Sequence, residues 1–282
     1  MAERRFGIST HLFHEQRLAR EHLIEIARRG FTAIELFATR SHFDYHDDHA
    51  IDALAGWLRE SNIELHSMHA PIYEISEKGQ RVGTLSTASG DEIRRGAAVE
   101  AARAALQVAQ RIPFRFLVVH LGVVSSDISP RENRRDAARR SLEAIVEAAS
   151  ACNVRVAVEV IPNELSESAV LVPLIEDELE GMDIGICLDY GHAHLMGDLG
   201  EAIETLSGHL WTTHVHDNRG REDEHLVPFA GTIDWDSAMM ETQKIGYDDV
   251  LMFEVAGHGN PADVLERSVK ARERLRKTLI TL

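Results

Sequence analysis

The chain has 282 residues, of which 44% are hydrophobic and 27% charged, a balance that suits a soluble globular enzyme of one large barrel or two ordinary domains. Its formal net charge of −16 disfavours nonspecific binding to phosphate backbones. No apolar run reaches the roughly 18–20 residues a membrane span requires, and the first ten residues lack the apolar segment of a signal peptide, so a cytoplasmic protein is expected.

In chain order, short β-type runs alternate with helix-type runs. Strand one is expected at Phe6–Thr10, with a helix at Leu18–Arg29 ended by Gly30. Strand two at Thr32–Leu36 leads to a helix at Ala50–Ser61, and strand three at Ile63–His69 leads to a polar loop, Glu74–Gly90. An Ala-rich helix follows at Asp91–Gln110. Strand four, Phe114–His120, is apolar throughout, as a strand buried on both faces should be. Pro130 suits the first turn of a helix running to about Ser150. Strand five is Val154–Ile161, strand six Asp183–Leu188, strand seven Leu210–His216 and strand eight Val250–Val255. Helices are expected at Ser166–Glu180, Leu199–Leu206, Trp235–Ile245 and Pro261–Lys277. Eight βα units with no Gly-x-Gly-x-x-Gly turn after strand one predict a single (β/α)₈ TIM barrel, one domain over residues 1–282.

In such barrels the chemistry sits at the C-terminal ends of the strands. Here those ends carry His69, His120, Glu159, Asp189-Tyr190-Gly191-His192, His214-Val215-His216-Asp217 and Glu254, and the loop after strand seven adds Asp223-Glu224-His225. A histidine ending one strand is ordinarily a hydrogen-bonded rim residue. Glu159 and Glu254 lie in otherwise apolar runs, where a carboxylate is costly unless it is paired or bound to a cation. Six consecutive strands delivering His, Asp or Glu at one end point to a divalent-metal site. Mixed imidazole and carboxylate ligands suit Zn²⁺, Mn²⁺ or Co²⁺, with Mg²⁺ also accommodated. Cys152 and Cys187 have no C-x-x-C spacing and read as buried, reduced thiols.

Gly185-Ile-Cys-Leu-Asp189-Tyr-Gly-His192 resembles a Gly-[Ile/Val]-Cys-x-Asp-[Ser/Thr]-Cys-His motif, departing from it at Tyr190 and Gly191, and Asp223-Glu-His225 resembles an Asp-Arg-His motif. Both motifs belong to the endonuclease IV type of DNA-repair phosphodiesterase. In the same comparison His216-Asp217 stands for Asn-Asp, and Phe229-Ala230-Gly231 for Gly-x-Gly. On these segments the chain resembles, over essentially its whole length, the xylose isomerase-like TIM-barrel superfamily. That superfamily holds these endonucleases together with sugar isomerases and epimerases. The resemblance implies a single-metal site of Glu159, Asp189, His214 and Glu254, as in the epimerases. It also implies additional metal or substrate positions at His69, His120, His192, Asp223 and His225, where the three-zinc endonucleases have ligands.

Two chemistries follow. One is proton transfer beside the carbonyl of a small sugar or sugar derivative through a metal-stabilised enediolate, with Glu159 and Glu254 as paired acid and base and His192 orienting a substrate oxygen. Dehydration or lyase chemistry on a keto-sugar begins with the same proton abstraction. The other is tri-zinc phosphodiester hydrolysis at abasic DNA. Charge, the Tyr190-Gly191 change and loop composition favour the sugar enzyme, with a sugar as partner and no membrane, and disfavour nucleic acid. The loop after strand two offers Phe37, His42, Phe43 and Tyr45 as a lid over a sugar, or as aromatics packed locally. Arg219 and Arg221 are candidates for holding a substrate anion or are solvated surface groups. Barrels of this type often form homo-oligomers, and no segment marks the interface.

Overall fold

The computed structural model describes residues 4–76, 79–124, 131–257 and 259–281. Its parallel strands β1 (Phe6–Ser9), β2 (Ala33–Phe37), β3 (Glu64–His69), β4 (Phe116–Val119), β5 (Arg155–Glu159), β6 (Ile184–Asp189), β7 (Leu210–Val215) and β8 (Leu251–Phe253) close into a barrel. They follow chain order around it, and β8 pairs back onto β1 with Leu251 opposite Phe6. The helices are α1 (Arg20–Arg28), α2 (Asp48–Ser61), α3 (Glu92–Leu106), α4 (Arg135–Ala151), α5 (Ser168–Pro173), α6 (Tyr190–Met196), α7 (Leu199–Thr205), α8 (Trp235–Lys244) and α9 (Pro261–Thr281). Among the described residues no helix is long and apolar enough to cross a membrane.

Three differences from the expected elements have local causes. The polar loop carries an antiparallel ribbon, Tyr73–Ile75 against Arg81–Thr84, whose strands are too short for an alternation to show in sequence. The helix expected at Ser166–Glu180 is α-helical only to Pro173 and continues as a π turn over Leu174–Glu178. Proline has no N–H for the preceding turn, and the ladder widens beside it. Helix α6 begins directly at the end of β6, where Asp189 caps it by accepting from the His192 N–H at 2.7 Å. Seven residues hold too few turns to reveal a helical period. Pro130 lies outside the described residues.

Side-chain alternation along the strands decides what faces the barrel axis. Ile34, Leu36, Leu117, Val119, Val156, Val158, Ile186, Leu188, Leu251 and Phe253 belong to the main core shared with the helices. The intervening residues form separate small clusters, Ala33 with Val250 and Met252, and Val118 with Ala157 and Cys187. Continuing that inward series by two residues reaches Glu35, Glu159, Asp189 and Glu254, all buried. The carboxylates therefore interrupt or end an otherwise apolar inner column on four strands.

Asp217 anchors the long segment after β7. Its buried carboxylate accepts the backbone N–H of Asn218, Phe229 and Ile233 at 2.9, 2.9 and 3.2 Å, and the Trp235 Nε1–H at 3.0 Å. Asp217→Ala leaves these buried donors without an acceptor, and we expect a loss of about 3–5 kcal/mol in urea unfolding. A loss below about 1 kcal/mol would mean that water replaces the carboxylate freely.

His42 gives the fold a specific acid sensitivity. It is buried, its Nδ1–H donates to the Gln16 carbonyl at 2.6 Å, and its Nε2 has no partner. Burial outweighs that bond and lowers its pKa from 6.5 to about 4. Between those values the unfolded chain binds a proton that the folded chain refuses, so stability falls as pH drops through this window, by about 3 kcal/mol in total. His42→Asn, which keeps a donor for the carbonyl, should flatten the urea midpoint between pH 6.5 and 4. An unchanged pH profile would place the sensitivity in other groups.

Candidate metal centre

Glu159 ends β5, Asp189 ends β6, His214 lies near the end of β7 and Glu254 directly follows β8. The ligand atoms of this group lie within 4.8 Å of one another. His214 Nδ1 is 3.1 Å from Glu159 Oε1, 3.4 Å from Glu254 Oε2 and 3.9 Å from Asp189 Oδ2. A second group, His69, His120 and Glu159, shares Glu159, whose Oε2 is 3.1 Å from Nε2 of each histidine. A third comprises His192, His216, Asp223 and His225. Asp223 Oδ2 stands 3.0 Å from Nε2 of both His192 and His225, and His216 Nε2 is 2.9 Å from the Asp189 carboxylate.

The hydrogen bonds behind these histidines decide what the groups can hold. The Nδ1 atoms of His69, His192 and His225 face the backbone carbonyls of Ala70, Val160 and Glu254 at 2.8, 3.1 and 2.9 Å. A carbonyl can only accept, so each Nδ1 carries the proton and each Nε2 turns a lone pair toward a carboxylate. Two acceptors at such distances need a cation or an extra proton between them. The titration behaviour agrees. Burial pushes His69 and His225 down, yet Glu159 beside the first and Asp223 beside the second raise each to about 9. Burial would raise Asp223, but His225 and His192 hold it far below the usual range, and His214 and His120 do the same for Glu159. The donor set, with its anionic character, thus fits divalent cations.

All nine residues singled out in the sequence lie in these groups. Two further buried groups were not assigned there. His216 shares the inward face with His214, two residues before it, and Gly191 makes room for it, since a Cβ at that glycine would lie 2.0 Å from His216 Cε1. Glu35 sits in an apolar run like that of Glu159, and its Oε2 is 3.0 Å from His214 Nε2.

Above the groups opens a cavity of about 700 Å³. Its lining includes His69, His120, His192, Asp223, His225 and Glu254, with His11 and His14 following β1, the ribbon's Tyr73 and Arg81, and Leu195 of α6. Of the aromatics proposed as a lid, only Phe37, the last residue of β2, lines this cavity, while His42, Phe43 and Tyr45 are packed beneath the surface. The lid reading therefore gives way to local packing. Arg219 is bound to Glu224, and Arg221 reaches the cavity lining. Cys152 and Cys187 are free thiols, the latter fully buried.

A closed parallel barrel with polar groups gathered at the C-terminal ends of its strands is a TIM barrel in architecture. Residues 23–277 match the family described as xylose isomerase-like TIM barrel, and the chain belongs to that family. An uncharacterized protein of Methanocaldococcus jannaschii is 28% identical over 258 residues, covering 89% of this chain and 83% of that one. A solved D-tagatose 3-epimerase-like protein superposes with a TM-score of 0.79 at 26% identity, over 98% of this chain and 97% of that one. A D-psicose 3-epimerase from Clostridium cellulolyticum H10, solved with D-tagatose, superposes with a TM-score of 0.78 at 17% identity, covering 98% and 99%.

Proposed function

We propose that the protein is a divalent-metal-dependent isomerase or epimerase of a sugar or sugar derivative, with the metal held by Glu159, Asp189, His214 and Glu254. The observation that carries this reading is the position of that group. Three buried carboxylates and one imidazole converge beneath a cavity of about 700 Å³, within the range that encloses a small polar ligand. The 26% identity to a D-tagatose 3-epimerase-like protein supports the same class.

A bound Zn²⁺, Mn²⁺, Co²⁺ or Mg²⁺ supplies Lewis-acid stabilisation of negative charge on the substrate oxygens. The chain's own residues do the rest. Glu159 and Glu254 come from β5 and the end of β8, across the barrel mouth from each other. One removes the proton beside the substrate carbonyl, and the other returns a proton to the opposite face for epimerisation or to the neighbouring carbon for isomerisation. His192 lines the cavity and orients a substrate oxygen. Leu195 and Phe37 cover apolar edges of the sugar and exclude water.

A second reading, phosphodiester hydrolysis with several cations, is favoured by one observation: three candidate ligand groups adjoin, two of them sharing Glu159 and the third meeting Asp189 through His216. Elemental analysis of protein purified without chelator separates the two. About one divalent ion per chain supports the sugar enzyme, whereas close to three zinc ions overturns it in favour of the phosphodiesterase.

A further inference from the structure

Glu35 is the buried carboxylate that the proposed reaction does not use. It is fully buried inside the barrel on β2 and belongs to none of the ligand groups. Its Oε2 lies 2.8 Å from Ser67 Oγ and 3.0 Å from His214 Nε2. Its Oε1 has no partner, and His214 is its one ion-pair partner among the described residues. A carboxylate so placed would be expensive if its role were only to fill the interior.

His214 presents its two ring nitrogens to two different settings. Nδ1 faces Glu159, Asp189 and Glu254, and Nε2 faces Glu35. An ionised Glu35 can only accept, so the Nε2–H must donate to it, which leaves the Nδ1 lone pair on the side where the cation is proposed to bind. Ser67 donates its Oγ–H to the same Oε2 and fixes the rotamer of Glu35.

We propose that Glu35 is a positioning residue for the metal centre, holding His214 in the tautomer and ring orientation that offers Nδ1 to the cation and strengthening it as a donor through its negative charge. The inference rests on the metal-centre reading above and deepens it. It also accounts for a glutamate at the middle of Ala33-Ile34-Glu35-Leu36-Phe37, where a strand with its flanks buried would otherwise carry an apolar residue.

The test is a competition titration with Zn²⁺ alone against a chromophoric chelator, accompanied by urea unfolding of the chelator-treated protein. Glu254→Gln first identifies which zinc equivalent belongs to this group. Glu35→Ala is expected to weaken that equivalent by about 10–100-fold, and Glu35→Gln, which keeps an acceptor but not the charge, by less. A purely structural Glu35 would lower metal-free stability in these variants while leaving zinc affinity within about twofold of wild type, and that result overturns the inference. If Glu35→Ala does not fold, Glu35→Gln and Ser67→Ala decide by the same criterion. If the wild-type protein binds no zinc at the Glu254-dependent site, the failure belongs to the metal-centre reading and not to the role of Glu35 within it.

Discussion

Glu254→Gln should lower turnover by about 10²–10⁴-fold while the barrel remains folded, and Glu159→Gln should do at least as much. Each substitution preserves shape and removes a carboxylate that the proposed reaction uses both as metal ligand and as proton carrier. Glu159 is expected to be the more severe because it belongs to two ligand groups, with His69 and His120 on one oxygen and His214 on the other. Glu254 belongs to one ligand group, faces His214 and His225, and lines the cavity directly, so in the proposed reaction its loss falls on the reacting carbon. Far-ultraviolet circular dichroism and turnover on the same preparations check this. Near wild-type turnover in either variant would remove the paired-carboxylate mechanism.

Chelation should lower the melting temperature, and returning zinc should restore it. A ligand that binds the folded chain at a hundred times its Kd contributes about 2.7 kcal/mol, or about 5 °C for a chain of this size. The effect has a definite pH dependence. In the metal-free protein the raised values of His69 and His225, both about 9, favour folding below the ordinary histidine value of 6.5, and this contribution is lost as pH rises toward 9. A cation held by Glu159 and Glu254 would offset carboxylates that keep those protons bound, so the zinc-induced gain should grow between pH 6.5 and 9. Differential scanning calorimetry across that range measures it, and a gain independent of pH would mean that the metal does not displace protons from these histidines.

The barrel was readable because most strands are apolar runs and several helices carry a cap, as with Asp91 accepting the Ile93 and Arg94 N–H groups at the start of α3. The ligand positions were readable because a carboxylate in an apolar strand has few inexpensive explanations, as at Glu159 and Glu254. Glu35 carries the same signal but stands in mid-strand, away from the strand ends on which attention falls. His216 was hidden differently: its place depends on Gly191 giving it room across a helix boundary, a contact between residues 25 apart in sequence. Helix α6 and the Tyr73–Ile75 ribbon were too short for any period to appear. How the remaining histidines divide between the other two groups was not legible, because it depends on which carbonyl each Nδ1 meets.

The most direct test of the proposed reaction is solvent isotope exchange. The metal-loaded protein would be incubated in D₂O with a panel of ketoses, and deuterium at the carbons beside the carbonyl followed by proton NMR. Deuterium entering one substrate at one such carbon, abolished by chelation and by Glu254→Gln, is the predicted result. No exchange in any ketose, together with zinc-dependent cleavage of abasic-site DNA by the same preparation, would contradict it.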